Sequence, residues 1–262
     1  MPSIEANGER ISFVDEGAGP AVLFIHSLGT NAWLYADQIA VLSDRYRCIA
    51  PDCRAHGATS YNKPGFTVAD MAADHKAVLD HLGVDRVHVV GLSMGGPVAF
   101  NFNTACPGVA RSMVIADSFA RPGAPEAVQD RIYATQEAVA YLSMLEFGNQ
   151  YAGDRLMPST PIERLDELAA EIAKCPPKGY VDTCRAIFTY DAREDLKNVK
   201  VPTLVLIGEQ DEATPMPASE FIRDSIPGAV LKTIPDAGHL STIDNPGAFT
   251  KELAAFLDAQ GK

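Results

Sequence analysis

Apolar residues cluster in six short, nearly uninterrupted runs, at 21–25, 46–50, 87–90, 112–116, 203–207 and 230–234. A run without polar alternation reads as a strand buried on both faces, as in a parallel sheet. Between the runs lie helical patterns at 32–42, 68–82, 97–105, 218–225 and 246–257. Strand thus alternates with helix, and right-handed crossovers predict a doubly wound, mostly parallel α/β sheet. Ahead of the first run, segments 3–6 and 10–15 flank Asn7-Gly8, a pair suited to the positive φ angles of a type I′ turn, so the chain should open with a β-hairpin.

The alternation breaks once, over 119–195, where helical patterns at 125–147, 161–174 and 178–190 follow one another without a strand. In the first, Val128, Ile132, Thr135, Val139 and Leu142 form an apolar stripe. Pro158, Pro161, Pro176 and Pro177 prevent one long helix. A helical insertion between strands of a parallel sheet predicts a cap over the sheet's carboxyl edge, where such sheets bind ligands. The alternative is a helical region packed elsewhere for stability alone. The expected division is a core of 1–118 and 196–262 and a cap of 119–195.

Candidate chemistry centres on Val89-Val90-Gly91-Leu92-Ser93-Met94-Gly95-Gly96. A β-branched run enters Gly-x-Ser-x-Gly and a helix follows at once, the context of a nucleophile elbow. Ser93 then takes a strained backbone conformation at the strand's end, and Gly91 and Gly95 leave out the Cβ atoms that would collide. A serine hydroxyl needs a general base. His239, in Asp236-Ala237-Gly238-His239-Leu240 after the last run, can reach back over the sheet to the elbow, whereas His75, His81 and His88 fall in packing or surface positions. The imidazole in turn needs a carboxylate. Asp211 follows the run 203–207 in an acidic loop; Glu209, Glu212 and, at the end of an earlier strand, Asp117 are its rivals. Two backbone amides should hold the oxyanion, those of Met94 and of Leu28 in His26-Ser27-Leu28-Gly29-Thr30, with His26 bracing that loop.

Composition narrows the partners. The chain has 262 residues and a net charge of −12, and no Lys/Arg run exceeds a pair, which argues against a nucleic-acid groove or an anionic membrane surface. Five cysteines without C-x-x-C spacing read as thiols in a reducing compartment. With no signal-peptide pattern and no long apolar run, a cytoplasmic protein is expected. No metal-ligand spacing and no G-x-G-x-x-G is present, so no cofactor is implied.

The stretches Phe24-Ile25-His26-Ser27-Leu28-Gly29, Pro51-Asp52-Cys53-Arg54-Ala55-His56-Gly57, Gly91 to Gly96, Gly208-Glu209-Gln210-Asp211 and Gly238-His239 together resemble the α/β-hydrolase superfamily from end to end. The order Ser93, Asp211, His239 matches its nucleophile, acid and base. His-Ser-Leu-Gly-Thr, Ser-Met-Gly-Gly and Tyr190-Asp191-Ala192-Arg193-Glu194-Asp195-Leu196 look most like the 3-oxoadipate enol-lactonase branch. Ser27 and Ala55 stand where many members carry glycine. The resemblance implies a lactonase or carboxylesterase acting on a small molecule through an acyl-enzyme on Ser93. A C–C bond hydrolase, a cofactor-free perhydrolase and a low-turnover receptor stay open as alternatives. A dicarboxylic enol-lactone would need a cation, for which Arg131, Arg155 and Arg185 are candidates, the favoured alternative for any one of them being a solvated cap-surface charge. Trp33, Phe119, Tyr133, Tyr141, Met144 and Phe188 are candidate pocket residues, although helix-core packing suits most of them better.

Overall fold

The computed structural model describes residues 1–261. Its centre is an eight-stranded sheet in the order β1-β2-β4-β3-β5-β6-β7-β8. These strands are β1 (Ser3–Ala6), β2 (Glu9–Glu16), β3 (Ala21–Ile25), β4 (Arg47–Pro51), β5 (Val87–Leu92), β6 (Ala110–Ala116), β7 (Thr203–Gly208) and β8 (Val230–Ile234). β1 and β2 pair antiparallel, as do β2 and β4; every later pair is parallel. The hairpin turn is where Asn7-Gly8 puts it, with φ of 51° and 84°. Every residue of β3, β5 and β7 is buried, which is why their sequences show no alternation. β8 departs from that expectation: it is the sheet's edge, Val230, Lys232 and Thr233 are exposed, and only Ile234 is fully covered.

The connecting helices are α1 (Ala36–Leu42), α2 (Val68–His81), α3 (Gly95–Ala105), α9 (Met216–Ser225), the short α10 (Ser241–Asp244) and α11 (Pro246–Ala259). Between β6 and β7 lie α4 (Pro125–Tyr141), α5 (Met144–Arg155), α6 (Ile162–Ile172), α7 (Pro177–Phe188) and α8 (Arg193–Leu196). The single helix expected over 125–147 is therefore two. Leu142 leaves the helix, and Ser143 starts a new one through a capping box: its hydroxyl accepts Glu146 N–H while the Glu146 carboxylate accepts Ser143 N–H. Among the described residues no helix is long and apolar enough to cross a membrane.

The β5-to-α3 turn fixes the rest. Ser93 has φ +53°, and a methyl group at Gly91 would stand 2.4 Å from Gly95 O, one at Gly95 2.1 Å from Ile25 O. Neither backbone oxygen can swing aside. Gly95→Ala should therefore destabilise the fold by about 3 kcal/mol or more, lowering the melting temperature by roughly 6–12 °C; an unchanged thermal melt would contradict the close packing of β3 against α3.

Candidate active site

Three loops at the carboxyl ends of β5, β7 and β8 meet. Ser93 Oγ lies 2.9 Å from His239 Nε2, and His239 Nδ1 lies 3.1 Å from both Asp211 oxygens. All three residues are buried. With Nδ1–H donating to the carboxylate, Nε2 is left free to accept the serine proton, which is the tautomer a general base needs.

Asp211 is held by more than the imidazole. Its Oδ1 accepts Ala213 and Thr214 N–H, both at 2.9 Å, and Oδ2 accepts the Thr214 hydroxyl at 2.6 Å. Burial alone would raise its pKa, but the hydrogen bond and charge of His239, with the Thr214 donors, hold it below the usual carboxylate value. The acid and base loops touch directly: Gln210 N–H donates to Ala237 O at 2.9 Å, and a methyl group at Gly208 would fall 2.1 Å from Gly238 O.

Of the rival acids, Glu209 and Glu212 are exposed and do not reach His239. Asp117 is buried nearby, with φ +46°; its Oδ1 accepts Gly208 N–H at 2.7 Å and its Oδ2 bonds the Ser241 hydroxyl. It thus braces both loops without touching the imidazole. Burial, then the charge of Asp211, raises its pKa well above the ordinary value.

Leu28 lines the same cavity as Ser93, and Met94 follows Ser93 at the start of α3. Among the described residues neither amide has a hydrogen-bond acceptor. The Leu28 loop is braced as expected by His26, whose Nδ1–H donates to Ser27 O at 2.8 Å while Nε2 accepts Cys53 N–H at 2.8 Å. A second brace, His56, escaped the sequence reading: its Nε2 accepts Gly29 N–H at 3.1 Å and its Nδ1–H donates to Arg54 O. Burial lowers both imidazole pKa values, that of His56 to about 4, so both stay neutral and able to accept. Ala55 adopts φ +63° in the adjoining loop, and α7 accommodates its methyl group with Gly179, where a Cβ would stand only 2.5 Å away. His75 and His88 bond Met71 O and the Ser112 hydroxyl, and His81 is exposed, so none of the three reaches the site.

Above Ser93 opens a cavity of about 470 Å³, walled by α4, α5 and α7. Of the candidates, Phe119, Phe188, Arg131 and Arg155 line it. Trp33, Tyr133, Tyr141 and Met144 do not. Arg164 covers Trp33, Tyr133 and Tyr141 face outward, and Met144 packs in the core. Arg185 is also absent from the wall, pairing with Asp182 instead. Arg121, Tyr151 and Tyr180 line the cavity without having been singled out in the sequence. Arg131 lies 4.0 Å over the Phe188 ring and Arg155 5.4 Å over the Tyr151 ring, and neither has a carboxylate in ion-pair distance among the described residues. Desolvation at the cavity wall, then the charge of Arg155, lowers the pKa of Arg131.

The chain matches the family model described as the alpha/beta hydrolase fold over residues 20–246. It is 28% identical over 238 residues to 3-oxoadipate enol-lactonase 2 of Acinetobacter baylyi, covering 91% of this chain and 88% of that one. Among solved structures, the enol-lactonase from Burkholderia xenovorans LB400 superposes with a TM-score of 0.90 at 26% identity, covering 98% of this chain and 100% of the other. A thermophilic esterase from Thermogutta terrifontis gives a TM-score of 0.90 at 28% identity over 99% and 97% of the two chains. With a family match that spans most of its length, this chain belongs to the α/β-hydrolase family.

Proposed function

We propose that this protein is a serine hydrolase that opens a small lactone or cleaves a small ester through an acyl-enzyme on Ser93. The observation that carries this reading is the continuous relay from Ser93 Oγ to His239 at 2.9 Å and on to Asp211 at 3.1 Å, at the floor of the cavity. His239 takes the Ser93 proton as Oγ attacks the carbonyl carbon, and the amides of Leu28 and Met94 hold the oxyanion. As the tetrahedral intermediate collapses, the carbonyl re-forms, the C–O bond to the leaving alkoxide breaks, and His239 returns the proton to that oxygen. A water then attacks the acyl carbon as His239 takes its proton, the C–O bond to Ser93 Oγ breaks, and His239 returns the proton to Oγ, releasing the acid and restoring the free serine.

Residues 119–195 serve as the cap in this reading. In a lactone the leaving oxygen stays tethered to the acyl chain, so one chamber must hold both parts, and a single cavity over Ser93 suits that demand. Two guanidiniums without carboxylate partners, in a chain of net charge −12, favour a substrate that carries its own carboxylate. The similarity to enol-lactonases supports the same choice.

A panel of lactones, aryl esters and dicarboxylate enol-lactones tests this. The carboxylate-bearing members should give the highest kcat/KM. Arg131→Gln and Arg155→Gln should each raise KM for them about tenfold, as expected for losing one charge-assisted hydrogen bond, and leave p-nitrophenyl acetate nearly untouched. Equal losses on charged and neutral substrates would remove the carboxylate from the reading.

A further inference from the structure

Asp244 ends α10, shortly after His239, and its carboxylate gathers donors from two separate parts of the molecule. Oδ1 accepts Met157 N–H at 3.0 Å and the Thr160 hydroxyl at 2.5 Å, both from the loop between α5 and α6. Oδ2 accepts Gly238 N–H at 2.8 Å. Gly238 is the residue before His239. The cap approaches that glycine closely: a methyl group there would stand 3.3 Å from Arg155 O and 3.5 Å from Met157 Sδ.

No cation lies in ion-pair distance of Asp244 among the described residues, and its carboxylate's hydrogen bonds are to these three donors. The other ties on the base's loop do not reach the segment after α5: Asn245 Nδ2–H donates to Pro235 O at 2.9 Å. Ala237 O accepts from the acid's loop, and Ser241 bonds Asp117 at the end of β6. Among the described residues, Asp244 is the side chain that hydrogen-bonds both the base's loop and the cap. It also sits where the cap carries its functional wall, since Met157 follows closely on Arg155, and Arg155 lines the cavity.

We propose that Asp244 is a positioning residue that registers the general base against the cap. It anchors the Gly238 amide, and with it the backbone that aims His239 at Ser93, to the segment continuing from the α5 wall. Substrate seated on that wall and the imidazole that must serve it are thereby held in one frame. A displacement of about 1 Å in such a frame costs on the order of a hundredfold in rate. This inference rests on the Ser93–His239 chemistry proposed above.

The charge matters as well as the size. An asparagine has one acceptor oxygen, so whichever way it turns, its NH2 faces either Gly238 N–H or Met157 N–H, donor against donor. Asp244→Asn therefore breaks one side of the tie despite equal volume. Thr160→Val removes a cap-side bond and leaves the Gly238 bond in place.

The test compares wild type, Asp244→Ala, Asp244→Asn and Thr160→Val on p-nitrophenyl acetate, with active sites counted by diethyl p-nitrophenyl phosphate titration run to completion. Asp244→Ala should keep its full count of titratable sites while kcat per site falls roughly 30–100-fold, with KM within about twofold of wild type. Asp244→Asn should lie near Ala, and Thr160→Val between them and wild type. A packing role alone would give fewer titratable sites, each with wild-type kcat, and that result overturns the proposal. So does a raised KM with kcat intact. Wild type without Ser93-dependent turnover would remove the proposed function and this inference together, whereas normal kcat per site in the Asp244 variants removes this inference alone.

Discussion

Ser93→Ala should lower kcat for ester hydrolysis on the order of a millionfold, to a residue of catalysis from binding and the oxyanion amides. Among the described residues no other hydroxyl or thiol of the cavity hydrogen-bonds His239 Nε2. Cys184 lines the cavity, but burial pushes its thiol up to about 12, and a thiol that keeps its proton is a poor substitute. The alanine removes only the hydroxyl, leaving φ +53° as a local strain that the surrounding turn already bears. The variant should therefore fold and bind substrate with KM near wild type while turning over almost none. Steady-state kinetics alongside a thermal melt separates lost chemistry from lost structure.

Asp211→Asn should cost about ten-thousandfold in kcat. Its amide NH2 can face His239 Nδ1 only if that nitrogen is unprotonated, which moves the imidazole proton to Nε2, the atom that must accept from Ser93. The ring keeps its place and loses its function. Asp117→Asn should leave kcat within about threefold of wild type, because Asp117 braces the loops and does not contact the imidazole. Near-normal turnover in the Asp211 variant would move the acid role to Asp117. The two aspartates also differ in stability against pH. A carboxyl whose folded pKa is raised contributes stability in full below its ordinary value of 3.8, and that contribution fades as pH rises towards the folded value. Melting temperatures of wild type and Asp117→Asn should therefore converge in acid and diverge in the variant's favour as pH rises.

Much of this site is legible because its determinants are local. Asn7-Gly8 sets its turn through its own φ angles, and Gly91 leaves out a Cβ that would meet Gly95 O four residues on, while Gly95 is read from the Gly-x-Ser-x-Gly spacing although the backbone it clears, Ile25 O, lies in β3. His239 and Asp211 are recognisable from their places after strands. What stayed hidden depends on partners distant in sequence. His56 braces Gly29 across 27 residues, and Asp244 reaches Met157 across 87. Arg185 and Arg155 have the same composition-level appeal as cations, and only the presence of Asp182 beside one and of the cavity beside the other separates them. The break at Leu142–Ser143 was legible in principle: Ser143 and Glu146 form a capping box that the apolar stripe of α4, read alone, overran.

A covalent intermediate on Ser93 can be trapped and located. Wild type mixed with p-nitrophenyl acetate and quenched in acid during turnover should carry one acetyl group on the peptide containing Ser93, detected by mass spectrometry, and Ser93→Ala should carry none and release no nitrophenolate above background. Wild-type turnover with the acetyl group on another residue, or equal nitrophenolate release from Ser93→Ala, would contradict the account.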